Sequence, residues 1–267
     1  MKLHRTFIRF AATAIVVCGT AQHSPGYSQA MNHSATIADK GIRVILVGDS
    51  TMATRTGYGD ALCKRFVAST ECINLARGGR SSKSFRVEGL WDNMLKILAD
   101  NQASAASGSA RKTWVLIQFG HNDQPGKAER STDLATEFPV NMARYVDEVR
   151  AAGGETVLVT PLTRRSFKDG VLQNDLRPWA EAVIRVAREK SVPVIDLNAK
   201  SYAAVAAMGT AEADTLAEEP PPKMPLPEGV KSRFDYTHLG PKGASLFADM
   251  MASEIAAVVP AMARYLR

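Results

Sequence analysis

The chain has 267 residues, of which 45% are hydrophobic and 22% are charged, a composition that is ordinary for a soluble globular protein. This length suits one large domain or two small ones and is enough to bury most of the unfolded surface. The formal net charge of +6 falls to +3 without the first 30 residues, which hold three basic residues and no acidic one. A net charge as small as +3 does not predict a basic surface that binds nucleic acid.

Residues 1–30 have the pattern of a signal peptide. Three basic residues within the first nine form a charged start, and the apolar run from Phe10 to Ala21 is too short to cross a bilayer as a helix. The small residues of Ser28-Gln29-Ala30 predict a cleavage site. We therefore expect an exported protein, periplasmic or secreted, that has no membrane attachment after cleavage and forms one domain over residues 31–267. The alternative is a soluble protein that begins with an amphipathic helix.

Strand-like and helix-like segments alternate through the rest of the chain. Short apolar runs that end at polar or turn-forming residues are typical of buried parallel strands, and amphipathic stretches with Pro near the start or Gly at the end are typical of helices. The predicted order is strand 43–47, helix 58–67, strand 72–76, helix 90–98, strand 114–119, helix 138–152, strand 156–160, helix 178–189, strand 192–197, helix 199–208 and helix 241–259.

Five short strands separated by helices predict an α/β fold of three layers around a five-stranded parallel sheet. In such folds ligands bind at the carboxyl ends of the strands. The segment 218–229 carries five of the thirteen prolines and predicts a stiff surface loop. Cys63 and Cys72 lie nine residues apart, and this spacing is compatible with a disulfide, which export permits, or with two separate buried thiols.

Two polar clusters suggest a nucleophile and its base. Gly48-Asp49-Ser50-Thr51 follows the first strand, where a turn exposes the serine hydroxyl; the alternative is a helix N-cap. Asp235-Tyr236-Thr237-His238 precedes the last helix, and an aspartate three residues before a histidine can hydrogen-bond its ring and fix its tautomer. The alternative for this pair is an aspartate cap beside a surface histidine.

Two further clusters suggest donors for a developing anion. The Gly-rich run 74–82 after the second strand can present backbone N–H groups, although on its own a flexible turn explains it better. Gly120-His121-Asn122-Asp123 follows the third strand, where the Asn122 amide can donate to an oxyanion; an Asx-turn is the alternative. His121 and Asp123 form at most a weak metal site, because no third ligand has diagnostic spacing.

Together and in this order, the clusters resemble the SGNH (GDSL) hydrolase family, and within it most closely the rhamnogalacturonan acetylesterases. The matching runs occur in the family's order and span nearly the whole chain from residue 43 to residue 260. They are 48–51, 76–85, 88–91, 118–123 and 235–238. The region 174–179 and the Pro-rich segment depart from the family's pattern, which leaves the exact ester open.

The resemblance implies a flavodoxin-like sheet, a catalytic triad and a role for each matching residue. Ser50 would be the nucleophile, with Asp235 and His238 completing the triad. The oxyanion hole would be the backbone N–H groups of Ser50 and Gly79 and the side-chain amide of Asn122. A serine esterase of this kind works through an acyl-enzyme and needs no metal ion or organic cofactor. The resemblance alone makes acetyl the expected acyl group.

The substrate that the resemblance implies is an acetylated plant polysaccharide, foremost acetylated rhamnogalacturonan. Several cations border the predicted carboxyl edge of the sheet and would suit a polymer bearing carboxylates, unless they are solvated or paired with local acids such as Glu88 and Asp92. These cations are Arg77, Arg80, Lys83, Arg86, Arg164 and Arg165. Candidate substrate-binding residues are Arg80, Arg164 and Trp91, for which stacking on a sugar ring competes with core packing.

Three other functions fit parts of the pattern. The same triad serves an esterase or lipase-like hydrolase on another acyl ester such as acetylxylan, or an O-acetyltransferase. A non-catalytic carbohydrate-binding protein is the second alternative, although it has no reason to keep Ser50, Asp235 and His238 in this order. A metal-dependent phosphoesterase that uses Asp49, His121 and Asn122 is the third. The oligomeric state is open.

Overall fold

A computed structural model of the chain describes residues 40–219 and 234–267. The predicted signal peptide and almost all of the Pro-rich segment 218–229 lie outside these residues. The elements are β1 Ile42–Gly48, α1 Gly59–Cys63, β2 Glu71–Asn74, α2 Ser84–Val87, α3 Leu90–Ala103, β3 Lys112–Gln118, α4 Phe138–Ala151, β4 Glu155–Val159, β5 Phe167–Lys168, β6 Val171–Leu172, α5 Arg177–Lys190, β7 Val194–Ile195, α6 Leu197–Asp214, α7 Pro241–Val258 and α8 Pro260–Ala263.

A parallel sheet of five strands in the order β2-β1-β3-β4-β7 forms the centre of the structure. In chain order these strands run 2-1-3-4-5, which is the flavodoxin-like arrangement. Leu46 of β1 pairs with Asn74 of β2 on one side and with Leu116 of β3 on the other. Because of this register, the turns that follow β1, β2 and β3 leave the same edge of the sheet. The predicted five-stranded parallel fold is confirmed.

Alternate residues of each strand face opposite layers of helices, which accounts for the continuous apolar runs in the sequence. Val44 and Leu46 of β1 pack in a core with α1, α6, α7 and α8. Ile45 and Val47 pack in a second core with α3, α4 and α5. The sheet is therefore covered on both faces, as the prediction of three layers required. Within the described ranges, none of the helices is long and apolar enough to cross a membrane.

Several element boundaries differ from the predicted ones. The predicted helix 58–67 is reduced to α1, and the predicted strand 192–197 contributes only the two residues of β7. The helix predicted over 90–98 extends to Ala103 as α3. The short hairpin of β5 and β6 was not predicted, because two-residue strands carry no alternating pattern.

Cys63 and Cys72 form a disulfide, with their Cα atoms 5.4 Å apart. The bond joins the last residue of α1 to the second residue of β2, the strand at one end of the sheet. Of the two predicted alternatives, the structure therefore contains the disulfide and not two separate thiols. The two cysteines are nine positions apart in sequence, so the cross-link closes a short loop in the unfolded chain.

We expect the double variant Cys63→Ser/Cys72→Ser to lose about 2–3 kcal/mol of unfolding free energy, since the cross-link restricts a short loop in the unfolded state. Urea denaturation followed by circular dichroism measures this change. Reductant should lower the urea midpoint of the native protein and leave that of the double variant unchanged. Equal midpoints for the two proteins under oxidising conditions would show that the cross-link contributes no stability.

Candidate active site

The turn after β1 is organised by the buried carboxylate of Asp49. Its Oδ1 accepts hydrogen bonds from the backbone N–H of Thr51, at 2.9 Å, and from the Thr51 hydroxyl, at 2.8 Å. Its backbone carbonyl accepts from the N–H groups of Met52 and Ala53. These bonds fold residues 49–53 into one tight turn. Ser50 lies at its apex and is 7% exposed.

A chain of buried polar side chains continues from this turn into the sheet. The Tyr58 hydroxyl donates to Gln118 Oε1 at 2.6 Å, and the Gln118 amide donates to the Thr51 hydroxyl at 2.7 Å. Thr51 in turn donates to Asp49, so the hydrogen bonds run without a break from Tyr58 to Asp49. Tyr58, Gln118, Thr51 and Asp49 are all fully buried. Buried hydrogen bonds of this kind favour a single side-chain arrangement, and here they fix the backbone on both sides of Ser50.

His121, at the end of β3, pairs with the same carboxylate. Its Nδ1 lies 3.4 Å from Asp49 Oδ2, and both side chains are almost completely buried. Burial raises the pKa of Asp49, but the nearby His121 and the two Thr51 donors outweigh it and leave the pKa below its ordinary value. The pair therefore joins the Ser50 turn to the turn that carries Asn122. Among the residues described, no cluster of three His, Cys, Asp or Glu side chains could hold a metal ion.

The Gly-rich turn after β2 lies against the nucleophile turn. Arg77 N–H donates to the Gly48 carbonyl at 2.9 Å, and a Cβ placed on Gly78 would lie 3.7 Å from Ser50 Cβ. Gly79 has a φ of +78°, a left-handed conformation that glycine adopts without the steric cost of a side chain. The Asn122 amide donates to the Arg80 carbonyl at 3.1 Å, which directs it towards this turn.

The oxyanion candidates Ser50, Gly79 and Asn122 therefore sit on three turns held together by hydrogen bonds. Asn122 uses one amide hydrogen on Arg80 and retains a second, since a side-chain amide carries two. Backbone and amide donors that are fixed in advance are the kind that stabilise a developing oxyanion.

Asp235 and His238 form a hydrogen-bonded pair, as their spacing predicted. Asp235 Oδ1 accepts from the N–H groups of Thr237 and His238, each at 2.9 Å, and its Oδ2 lies 2.7 Å from His238 Nδ1. Burial raises the pKa of Asp235, but these backbone and ring donors lower it further than burial raises it. A carboxylate in this position holds the proton on Nδ1 and leaves Nε2 free to act as a base.

Thr56 links this pair to the nucleophile turn. Leu239 N–H donates to the Thr56 carbonyl at 3.0 Å, and the Thr56 hydroxyl donates to the Ser50 carbonyl at 2.8 Å. Within the described part of the chain, Ser50 Oγ has no hydrogen-bond partner within 3.5 Å. Catalytic serine–histidine bonds are commonly long without substrate and tighten when it binds.

The buried side chain of Arg165 fixes the 235–238 segment by hydrogen bonds to its backbone, a role that the sequence did not reveal. The prediction that it belongs to an exposed cationic rim is wrong, because Arg165 is 1% exposed. Its guanidinium donates to the carbonyls of Asp235, at 2.7 Å, and His238, at 2.8 Å, with a longer bond of 3.4 Å to Thr237. Its own N–H donates to the Tyr236 carbonyl at 2.8 Å. One buried side chain thus fixes the backbone on both sides of the histidine.

Most other cations of the predicted rim are paired with acids. Arg80 pairs with Glu88, Lys83 with Glu137, Arg86 with Glu148 and Arg164 with Asp175. Arg77 is exposed and has no carboxylate partner among the described residues. Local pairing, the alternative considered for this rim, is therefore correct for these four residues.

Trp91 does not present a face to a ligand. It is 1% exposed, packs edge-on against Tyr145 and donates its indole N–H to Glu148. The prediction that it binds substrate is wrong for this reason, and core packing is its role. Trp179 is buried in the same core.

Two open clefts adjoin the turns that hold the site. The larger, about 630 Å³, runs from Thr54–Thr56 past Asn74–Gly78 to Leu90 and Asn93. The smaller, about 260 Å³, has His121, Asn122, Arg164 and the loop from Gln124 to Arg130 on its walls. The first reaches Gly78, next to Ser50, and the second reaches Asn122. The candidate oxyanion donors therefore lie between two spaces that can take the parts of a substrate.

The sequence from residue 46 to residue 246 matches the model of the GDSL-like lipase/acylhydrolase family. The chain belongs to this family. The match covers the turns of Ser50, Gly79 and Asn122 as well as the Asp235–His238 pair. Membership makes the protein a serine esterase, the class of enzyme for which a nucleophile turn, oxyanion donors and an Asp–His pair are suited.

Two curated relatives from Bacillus subtilis (strain 168) match most of the chain. The probable rhamnogalacturonan acetylesterase YesY is 31% identical over 79% of this chain and 91% of its own length. The rhamnogalacturonan acetylesterase RhgT is 32% identical over 81% of this chain and 90% of its own length.

Solved structures show the same fold at lower identity. The Bacillus subtilis protein YxiM superimposes with a TM-score of 0.62 at 22% identity, over 81% of this chain and 56% of that one. A variant of Axe2, an acetyl-xylooligosaccharide esterase from Geobacillus stearothermophilus, superimposes with a TM-score of 0.55 at 16% identity, over 80% and 94%. At these identities the likeness concerns the fold alone.

Asp123 is a buried carboxylate behind the Asn122 turn. Burial raises its pKa to about 7, against the lowering effect of hydrogen bonds from the Ser82 hydroxyl, the Ser82 N–H and the Thr132 hydroxyl. The Ser82 hydroxyl, at 2.6 Å, makes the shortest of these bonds. Because the folded protein binds this proton more tightly than an unfolded carboxyl does, the contribution of Asp123 to stability falls as pH rises from about 4 to about 7.

We expect Ser82→Ala to raise the pKa of Asp123 above about 7, because it removes a donor that favours the carboxylate. Carboxyl carbon chemical shifts, titrated by NMR, measure the change. Ser107→Ala, in the exposed loop after α3, is the control and should leave the Asp123 titration where it is. A lower pKa in Ser82→Ala would contradict the assigned cause.

Arg165→Lys should lower kcat on a small aryl acetate by at least about tenfold, since one ammonium cannot reproduce the hydrogen bonds of a guanidinium fork. The KM should change little, because Arg165 lies beneath the site. Initial rates measured with circular dichroism on the same samples separate this effect from unfolding. Arg188→Lys, at an exposed position of α5, is the matched control. A native kcat in folded Arg165→Lys would remove the positioning role.

Proposed function

We propose that the protein is an exported carbohydrate esterase that removes O-acetyl groups from acetylated rhamnogalacturonan. The observation that carries the proposal is the meeting of the Ser50, Gly79 and Asn122 turns at one edge of the sheet, beside a hydrogen-bonded Asp235–His238 pair. The acyl group and the glycan are supported by the two relatives named as rhamnogalacturonan acetylesterases, which match about four-fifths of the chain.

In the proposed reaction His238 Nε2 takes the proton of the Ser50 hydroxyl as Ser50 Oγ attacks the acetyl carbonyl. Asp235 accepts a hydrogen bond from Nδ1 and stabilises the imidazolium that forms. The imidazolium then returns its proton to the departing sugar oxygen, which leaves an acetyl group on Ser50. A water molecule, deprotonated by His238, attacks this acyl-enzyme and releases acetate.

The negative charge of each tetrahedral intermediate is assigned to the N–H groups of Ser50 and Gly79 and the amide of Asn122. Removing one such donor from a hydrolase costs roughly 3–4 kcal/mol of transition-state stabilisation.

An acetyl ester of another glycan is the second candidate. It is supported by the fold shared with Axe2, a xylo-oligosaccharide esterase, although that likeness is one of fold. Acetylated rhamnogalacturonan is preferred because the rhamnogalacturonan acetylesterases share about twice as much sequence identity with this chain. Export, proposed from residues 1–30, would place the enzyme where a cell-wall polymer is accessible.

Ser50→Ala should abolish acetate release from acetylated rhamnogalacturonan and from an aryl acetate while the protein stays folded. The Ser50 hydroxyl makes no hydrogen bond to other described residues, so the smaller side chain disturbs no network around it. Enzymatic assay of acetate measures activity, and circular dichroism checks the fold.

Ser107→Ala, a serine change in an exposed loop, should keep full activity and serves as the control. Acetylated xylan, assayed beside acetylated rhamnogalacturonan, tests the glycan. A higher rate on xylan would remove the rhamnogalacturonan assignment and keep the esterase. Undiminished acetate release by Ser50→Ala would remove the nucleophile itself.

A further inference from the structure

The smaller cleft beside Asn122 has cationic walls and no acidic residue on them. Lys127, Arg130 and Arg164 contribute side chains to it, together with His121, Asn122, Gln124, Pro125 and Gly126. Arg164 is neutralised by its pair with Asp175. Lys127 and Arg130 have no carboxylate within salt-bridge distance among the described residues. Two uncompensated positive charges therefore face this small open space.

The position of the Arg130 side chain is fixed by a hydrogen bond. Its guanidinium donates to the Gly79 carbonyl at 3.1 Å and is partly buried. The bond uses one of five N–H donors and leaves the others for a ligand. Because Gly79 is a candidate oxyanion donor, the cation lies beside the place where an ester carbonyl would bind.

The loop that carries these cations is fixed by its own hydrogen bonds. The Ser131 hydroxyl accepts from Lys127 N–H at 3.1 Å and donates to the Gln124 carbonyl at 2.8 Å. Thr132 N–H donates to the Asp123 carbonyl at 2.9 Å, which ties the end of the loop to its beginning. A fixed loop loses little conformational entropy when a ligand binds.

His121 adds a second indication that this cleft receives a polar ligand. It is 7% exposed and lines the cleft, and its Nε2 has no hydrogen-bond partner among the residues described. A buried polar atom without a partner is costly unless another group satisfies it.

We propose that this cleft is a subsite for the carboxylate of a uronic acid unit of the bound glycan, with Arg130 and Lys127 as its specificity-determining residues. A planar guanidinium suits a carboxylate, and Lys127 supplies a second positive charge. This subsite rests on the proposed glycan substrate and makes it more specific: the enzyme selects acidic glycans by charge. Neutral glycans such as xylan would leave both cations without a partner.

Inhibition of aryl acetate hydrolysis by oligogalacturonate tests the subsite without requiring that the oligosaccharide be deacetylated. The comparison inhibitor is the same oligosaccharide with its carboxylates converted to neutral methylamides. We expect the acidic form to inhibit with a Ki at least about tenfold lower, the difference made by one charge-assisted hydrogen bond. The difference should shrink as sodium chloride is raised, because the cleft is open to solvent.

The double variant Lys127→Gln/Arg130→Gln should bring the two Ki values together. Their ratio is the readout, since Arg130 also contacts the Gly79 turn and its loss can change the absolute rate. Arg188→Gln removes one charge from α5 near the edge of the sheet opposite the site, and it should preserve the ratio. Arg55→Gln/Arg77→Gln, in the larger cleft, should preserve most of the ratio.

Equal Ki values for both inhibitors in the native protein would overturn the subsite. So would a preference that survives Lys127→Gln/Arg130→Gln, or one that is lost only in Arg55→Gln/Arg77→Gln, which would place carboxylate recognition in the larger cleft. Failure of the proposed glycan substrate is a separate result, because it appears as absent acetate release from the polymer while aryl acetate is still hydrolysed.

Discussion

The candidate site depends on the register that aligns the carboxyl ends of β1, β2 and β3. Leu46 pairs with both Asn74 and Leu116, so the three turns that follow leave the sheet side by side. Each turn carries one part of the proposed chemistry, and no two of these parts are adjacent in sequence. A shift of one strand by one residue would reverse which face each of its side chains occupies and separate the turns. The hydrophobic cores on both faces of the sheet resist such a shift.

Buried polar contacts then convert this alignment into a rigid site. Asp49 is the central group, since it binds Thr51 on its own turn and His121 on the neighbouring one. Gln118 extends the same network to Tyr58. Burial penalises every one of these groups unless it is paired, so the network stabilises one arrangement strongly. Ser50 is 7% exposed and lies on a turn whose backbone this network holds in one conformation.

The Asp235–His238 segment reaches the site from the far end of the chain and is held differently. Its anchors are the buried guanidinium of Arg165 and the hydrogen bond from Leu239 to Thr56. Desolvation lowers the pKa of Arg165, while the nearby Asp235 and Asp214 raise it. Backbone carbonyls accept hydrogen bonds from both terminal nitrogens of the guanidinium, and the Asp235 carboxylate is left to His238. A short loop that lacks regular structure thereby gains a defined conformation.

Much of this arrangement could be predicted from the sequence, because it depends on local patterns. The apolar runs 43–47 and 114–119 give the buried strands β1 and β3, and glycine at 79 permits the left-handed turn there. The spacing of Asp235 and His238 allows their hydrogen bond within one turn. Family resemblance assigned roles to Ser50, Gly79 and Asn122. All of these signals lie within short stretches of chain.

Only the tertiary structure decided which charges are free and which are buried. Arg164 and Arg165 are neighbours in sequence, yet one pairs with Asp175 at the surface and the other lies under the His238 loop. The hydrophobicity of Trp91 does not show whether its ring contacts a sugar or packs in the core. In the structure it packs edge-on against Tyr145. Composition cannot distinguish such cases, because the partner that neutralises a charge or covers a ring comes from a distant part of the chain. The sequence therefore determined the fold and the candidate reactive groups, because both depend on local patterns, while long-range packing determined the surface that a substrate would meet.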